Sequence, residues 1–234
     1  AATRHTQQRT PYQTLELMET PRFGRVLRLD GRFMTSEREE FFYHEALVHP
    51  AAVAHPAPRK ALILGGGDGG AAEELLKHPS IERVVLAELD AAVVEAARTH
   101  LHAVHRGALD DARVQLHLGD GMAFVDATQE RFDLVLMDLT DPDTPASALY
   151  SDAALARMQR VLAPGGALVL HLGSPVFHPQ QVAALAATLR ARFAKVRCMG
   201  LYIPLYGAYW GMAVVSQELD VAALTLAQVR QRLA

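Results

Sequence analysis

Cysteine is almost missing from this chain: Cys198 is the single one in 234 residues. That excludes an internal disulfide and a cysteine-built zinc cluster. It fits a reducing compartment, so the expected location is cytoplasmic. Excess charge is also scarce. The formal net charge is −3, which leaves no electrostatic case for nucleic acid as a partner. No apolar run is as long as a membrane span. Residues 1–10 are polar and basic, unlike a secretory leader. Neither internal repeats nor low-complexity segments occur.

What is there is a chain that is 50% hydrophobic, enough for one good core with a small appended unit. Residues 1–11 read as a flexible arm. From Tyr12 to about Met34 apolar residues alternate (Leu15, Leu17, Val26, Leu27, Leu29, Phe33), with turns at Phe23-Gly24 and Asp30-Gly31. That predicts a small antiparallel β-unit. A helix is expected from Ser36 to about Ala54. Thr35-Ser36 would be its N-cap, and Glu37, Glu39 and Glu40 would favour the positive end of its dipole. Residues 12–54 then form an N-terminal unit.

From Lys60 the rhythm becomes strand, turn, helix. Strands are expected at 61–64, 84–88, 114–118, 132–138 and 167–171, and helices at 70–78, 91–101, 153–162 and 180–192. Residues 163–166 read as a turn, and 196–199 and 212–216 as two last strands. Residues 55–234 are thus expected to be a doubly wound, Rossmann-like α/β domain with a mostly parallel sheet.

The first strand-to-helix transition of this domain carries the chemistry. Leu62-Ile-Leu runs into Gly65-Gly-Gly67-Asp68-Gly-Gly70. Glycines let a ligand approach the backbone, yet Asp68 would repel a phosphate and hold a cation. In an open parallel sheet the ligand lies beyond the carboxyl ends of the strands. Acids sit at three more of those ends. Glu88 lies about 20 residues after the glycines, where a carboxylate meets ribose hydroxyls. Asp120, followed by Gly121, could accept from an adenine amino group. Asp138 and Asp141 end the fourth strand. Any one of these could be only a helix cap or a turn residue. Four acidic strand ends in succession favour a cationic ligand, because like charges in one cleft cost stability without one. His100, His102 and His105 do not share a helical face and make no convincing metal set. Packing is the default for His49 and Trp210, whereas Tyr206, in a loop after Pro204, can face a substrate.

Taken in order, the motifs resemble the polyamine aminopropyltransferases, the spermidine synthase family. They are Tyr12-Gln13, Phe23-Gly24-x-Val26-Leu27-x-Leu29-Asp30-Gly31, Glu37-Arg-Glu-Glu-Phe-Phe-Tyr43-His44-Glu45, the glycine loop, Lys77-His78-Pro79, Glu88-Leu-Asp90, Gly119-Asp120-Gly121, Asp138-x-x-Asp141-Pro142, Ser174-Pro175 and Ile203-Pro204-x-Tyr206. The resemblance implies a class I methyltransferase-like sheet and no metal or resident cofactor. It implies decarboxylated S-adenosylmethionine as donor and an amine such as putrescine as acceptor. By the same carry-over, Gln13, His44 and Glu88 hold the ribose side, with Gly65 and Gly67 beside the donor. Asp120, Gly121 and Pro145 frame the adenine, and Asp68 holds the aminopropyl ammonium. Tyr43, Asp141 and Tyr206 position the acceptor amine, and Asp138 takes its proton. A homodimer is expected from the family.

Some positions depart from the family pattern. Leu139-Thr140 stands between the two aspartates, Asp143-Thr144 replaces the usual Gly-Pro, and Gly173 stands where many members carry a glutamate. Asp138-Leu139-x-Asp141-Pro142, the Leu149-Tyr150-Ser151 run and the end at Ala234 also resemble the catalytic domains of integral-membrane members, so a membrane domain in a longer natural chain is an open expectation. Two other readings stay open: a methyltransferase using intact S-adenosylmethionine, and a non-catalytic polyamine or nucleoside binder.

Overall fold

Alternation near the N-terminus becomes a four-stranded antiparallel sheet in the computed structural model, which describes residues 3–140 and 145–233. Its strands β1 (Thr3–Arg9), β2 (Thr14–Thr20), β3 (Gly24–Leu29) and β4 (Arg32–Ser36) lie side by side in chain order. Strand β1 corrects the flexible arm expected at the start. It pairs with β2 from Thr3 opposite Glu19 to Arg9 opposite Thr14. As a polar edge strand it has no apolar alternation to reveal it.

The helix expected from Ser36 starts later, as α1 (Phe41–Ala54). Ser36 ends β4 instead. The Glu37 carboxylate accepts the Arg25 backbone N–H at 2.9 Å and ties the turn to the sheet rather than to a helix end.

The remaining chain alternates β5 (Lys60–Gly65), α2 (Gly70–Leu76), β6 (Arg83–Glu88), α3 (Ala91–His100), a short α4 (His102–His105) and β7 (Val114–Leu118). Then come α5 (Gly121–Ala127), β8 (Phe132–Asp138), α6 (Asp152–Arg160), β9 (Leu162–Gly173) and α7 (Pro179–Arg192). An antiparallel pair, β10 (Lys195–Ile203) and β11 (Ala208–Ser216), precedes a last helix α8 (Leu226–Leu233). The strand order is β10-β11-β9-β8-β5-β6-β7. Strands β5 to β9 run parallel in their pairings, and β10 and β11 close one edge antiparallel. The Rossmann-like expectation with a small antiparallel unit holds.

Both faces of the sheet are covered, so its strands read as continuous apolar runs. In β5, Ala61 and Ile63 face the layer containing α1, while Leu62 and Leu64 face the layer with Leu155 and Leu189. Residues 163–166, expected as a turn, instead lie within β9, where the pairing with β8 shifts register between Phe132 and Leu134. Helices α5 and α8 were not foreseen. The latter sends Arg232 to the Val53 and Ala54 carbonyls at 2.7 and 2.6 Å, closing the end of α1.

The site follows from the strand order. The chain leaves β5 in one direction to β6 and β7, then returns to place β8 on β5's other side. Ligands bind at such a reversal, beyond the carboxyl ends of the two strands. Gly65 and Asp138 are register partners there.

Candidate active site

A cleft of about 640 Å³ opens at that reversal. Its lining includes Gln13, Tyr43, His44, Gly65, Gly67, Asp68, Glu88, Asp120, Gly121, Asp138 and Tyr206. Of the remaining two expected site residues, Asp141 lies outside the described residues, and only the backbone of Pro145 is described, at the start of a 3-10 turn.

The glycine loop presses its backbone against acids. The Gly66 N–H donates to the Asp138 carbonyl at 2.9 Å. A side chain at Gly65 (φ +79°) would put its Cβ 2.1 Å from that same oxygen. Gly67 donates to Glu88 Oε2 at 3.1 Å, and Asp90 N–H donates to Glu88 Oε1 at 2.8 Å. Burial, the largest influence, pushes the Glu88 carboxyl up to about 7 despite those two bonds. Asp120 caps α5 through the Met122 N–H at 2.8 Å, so it is a cap and a cleft residue at once.

The opposite part of the cleft holds His44. Its Nδ1–H donates to Glu40 Oε2 at 2.8 Å, and its Nε2 lies 3.6 Å from Asp68 Oδ2 and 4.0 Å from Asp138 Oδ2. Burial works against a charge on the ring. Asp68, Glu40 and Asp138 outweigh it and raise the imidazole to about 9. His44 is therefore an imidazolium at neutral pH. The ring lines the cleft and faces the Asp68–Asp138 pair on one side and Glu40 on the other. One ligand atom from each of His44, Asp68 and Asp138 lies within 4.8 Å of the others, a spacing that a metal ion could use. With the ring protonated, the positive charge between these carboxylates is already supplied.

Asp138 is raised above the usual carboxylate range, chiefly by burial and then by Asp68, while His44 and the Tyr43 hydroxyl pull it down. Its Oδ2 has no hydrogen-bond partner among the described residues. Tyr43 is pushed well above its ordinary value by burial and by Asp138. Asp68 spends Oδ1 on the Gly70 N–H at 3.0 Å.

An aromatic wall completes this end. Tyr43 lies 6.5 Å from Tyr206, centroid to centroid, and Tyr206 lies 5.0 Å from Trp210. Trp210 stacks on His171 at 5.9 Å and lines the cleft, so packing is only part of its role. The Tyr206 hydroxyl donates to the Met34 carbonyl at 2.8 Å, and both residues line the cleft. His49 is not merely packed: it meets His78 at 3.0 Å and Glu74 at 2.9 Å.

Three residues were missed as site residues. Glu40 was assigned only to a helix dipole. Asp90 caps α3 and also accepts from Thr10 Oγ1 at 2.7 Å and from Gln13 Nε2 at 3.0 Å, so it fastens the N-terminal unit to the cleft. Gln13 thus reaches the cleft through Asp90. His171, third of the three, accepts or donates with Tyr150 at 2.8 Å behind the wall. The signal for Glu40 was its i, i+4 spacing from His44.

Fold and cleft together define a Rossmann-like transferase architecture with an acidic pocket at its strand ends. The chain belongs to the spermine/spermidine synthase family: the spermine/spermidine synthase domain matches residues 40–225. The spermidine synthase tetramerisation domain matches residues 6–37, which include most of β1. A polyamine aminopropyltransferase of Nitrosomonas europaea is 50% identical over 96% of this chain and 69% of its own length. Polyamine aminopropyltransferase 1 of Pseudomonas aeruginosa is 40% identical over 96% of this chain and 79% of its own. Among solved structures, a spermidine synthase in complex with the transition state analogue AdoDATO superposes with a TM-score of 0.93. It is 30% identical and covers 98% of this chain and 79% of its own. No helix among the described residues is long and apolar enough to cross a membrane.

Proposed function

We propose that this chain moves the aminopropyl group of decarboxylated S-adenosylmethionine to the amine of a polyamine precursor such as putrescine. The observation that carries this reading is the acidic pocket: Asp68 and Asp138 flank one buried imidazolium, and Asp138 Oδ2 has no hydrogen-bond partner among the described residues. In the proposed arrangement Glu88 and Asp120 bind the nucleoside, with Gln13, Gly65, Gly67, Gly121 and Pro145 around it. Asp68 takes the ammonium of the donor's arm. Tyr43, Asp141 and Tyr206 position the acceptor.

An amine is protonated at neutral pH and attacks only after losing that proton. Asp138 accepts it as general base. The nitrogen then bonds to the carbon beside the sulfonium, the carbon–sulfur bond breaks, and its electron pair leaves with methylthioadenosine. No oxidant or metal enters this balance. Holding nitrogen, carbon and sulfur in line supplies much of the rate. Intact S-adenosylmethionine would bring its carboxylate against Asp68.

The test is release of methylthioadenosine from decarboxylated donor with a panel of diamines. Release with a diamine supports the reading. No release with any amine, or tighter calorimetric binding of the intact donor, overturns it. The assembly is proposed to be a homo-oligomer through the N-terminal sheet. Light scattering on the purified chain separates a dimer from a tetramer, and a monomer at micromolar concentration refutes the assembly.

A further inference from the structure

Glu40 occupies the position just before α1, yet it makes no side-chain cap there. Its side chain turns inward and is 1% exposed, as is fitting for a group bonded on both sides. On one side it receives His44 Nδ1–H at 2.8 Å. On the other, Arg106 Nη2 approaches its Oε1 at 3.4 Å. Arg106 follows α4 in a left-handed conformation (φ 43°) and also reaches Glu73 at 3.1 Å. Buried carboxylates are kept only where such partners compensate their desolvation.

The far side of the His44 ring faces Asp68 from the glycine loop and Asp138 from the end of β8. Tyr43 faces Asp138 from the same helix as His44. Three carboxylates and one imidazole therefore share very few protons. The same proton can sit on His44, leaving Asp138 anionic, or on Asp138, leaving His44 neutral. Only the first arrangement leaves a base for the acceptor amine.

We propose that Glu40 is a positioning residue that keeps the shared proton on His44 and off Asp138. Its charge stabilises the imidazolium, and its bond to Nδ1 fixes Nε2–H toward the carboxylate pair. Arg106 holds Glu40 in turn. This deepens the aminopropyl-transfer reading and rests on it for the role of Asp138. The placement of the proton does not depend on that reading.

The experiment uses Glu40→Gln in the full chain. Glutamine can still accept from Nδ1–H, so geometry is kept and charge is removed. Ring-proton NMR should show the His44 titration fall by at least about one pH unit. The acid limb of kcat/KM for methylthioadenosine release should move up by about one unit, with kcat at pH 7 down about twofold and donor KM within about threefold. Glu40→Asp, which keeps the charge but shortens the reach, should fall between the two. It also stands in if the glutamine variant misfolds by circular dichroism. A His44 titration unchanged in a folded variant, or an unmoved acid limb, overturns the proposal. Absence of any transfer by the wild-type chain would sink the functional reading, while the NMR titration still decides where the proton sits.

Discussion

Asp138 shows how a single side chain can weaken the fold it serves. Its carboxyl is raised because burial and Asp68 disfavour the anion more than His44 and Tyr43 favour it. Holding the Asp138 anion therefore costs the folded protein stability relative to the unfolded chain. Asp138→Asn keeps an acceptor for the Tyr43 hydroxyl and removes the buried charge. It should abolish methylthioadenosine release and raise the melting temperature at pH 8 by about 2–4 °C, near 1 kcal/mol for a chain this size. An equal or lower melting point by calorimetry contradicts the electrostatic account. Gly70 is the steric counterpart. A Cβ there would lie 2.2 Å from the His44 ring. Gly70→Ala must displace the imidazole or the loop, at a cost of about 1–3 kcal/mol. Thermal melts should fall, and donor binding by calorimetry should weaken with them. Unchanged melting and affinity would mean that the loop relaxes freely.

Elements were legible wherever a hydrophobic period ran unbroken. Strands β5, β6 and β8 are buried on both faces, and each was visible as a short apolar run ending in or before an acid. Strand β1 was invisible because an edge needs no apolar side chains, only a partner's backbone. The start of α1 was misplaced because Ser36 and Glu37 have capping chemistry but serve a turn. Gln13 was legible as a site residue only through family resemblance; its bond to Asp90 spans 77 positions and leaves no local trace. That bond makes a prediction at the same scale. Asp90→Ala removes the α3 cap and both tethers to residues 10–13. Stability should drop by about 1 kcal/mol from the cap alone. Amide exchange should quicken in residues 3–13, and donor KM should rise severalfold with kcat unchanged. Exchange confined to α3 would show that the tether carries nothing.

Across the whole molecule the buried site links stability to pH. His44 is raised to about 9 from 6.5, by Asp68, Glu40 and Asp138 acting against burial. A basic group raised on folding adds stability that is complete below its unfolded value, near 6.5, and is lost as pH rises through 9. Glu88 is an acid raised from 4.5 to about 7, chiefly by burial. Its relative stabilisation is present below 4.5 and fades as pH rises through 7, because the fold must then hold a buried anion. The two effects have the same sign between pH 5 and 9. Each is bounded at about 3 kcal/mol, from 1.36 kcal/mol per unit. Urea unfolding should therefore give a midpoint that falls steadily from pH 6 to pH 9. His44→Gln should flatten the part above pH 7 and leave the part contributed by Glu88. A wild-type midpoint that is constant or rising over this range would contradict both assignments. Binding of a dicationic donor should oppose the decline, because its charges would meet the same carboxylates that His44 faces.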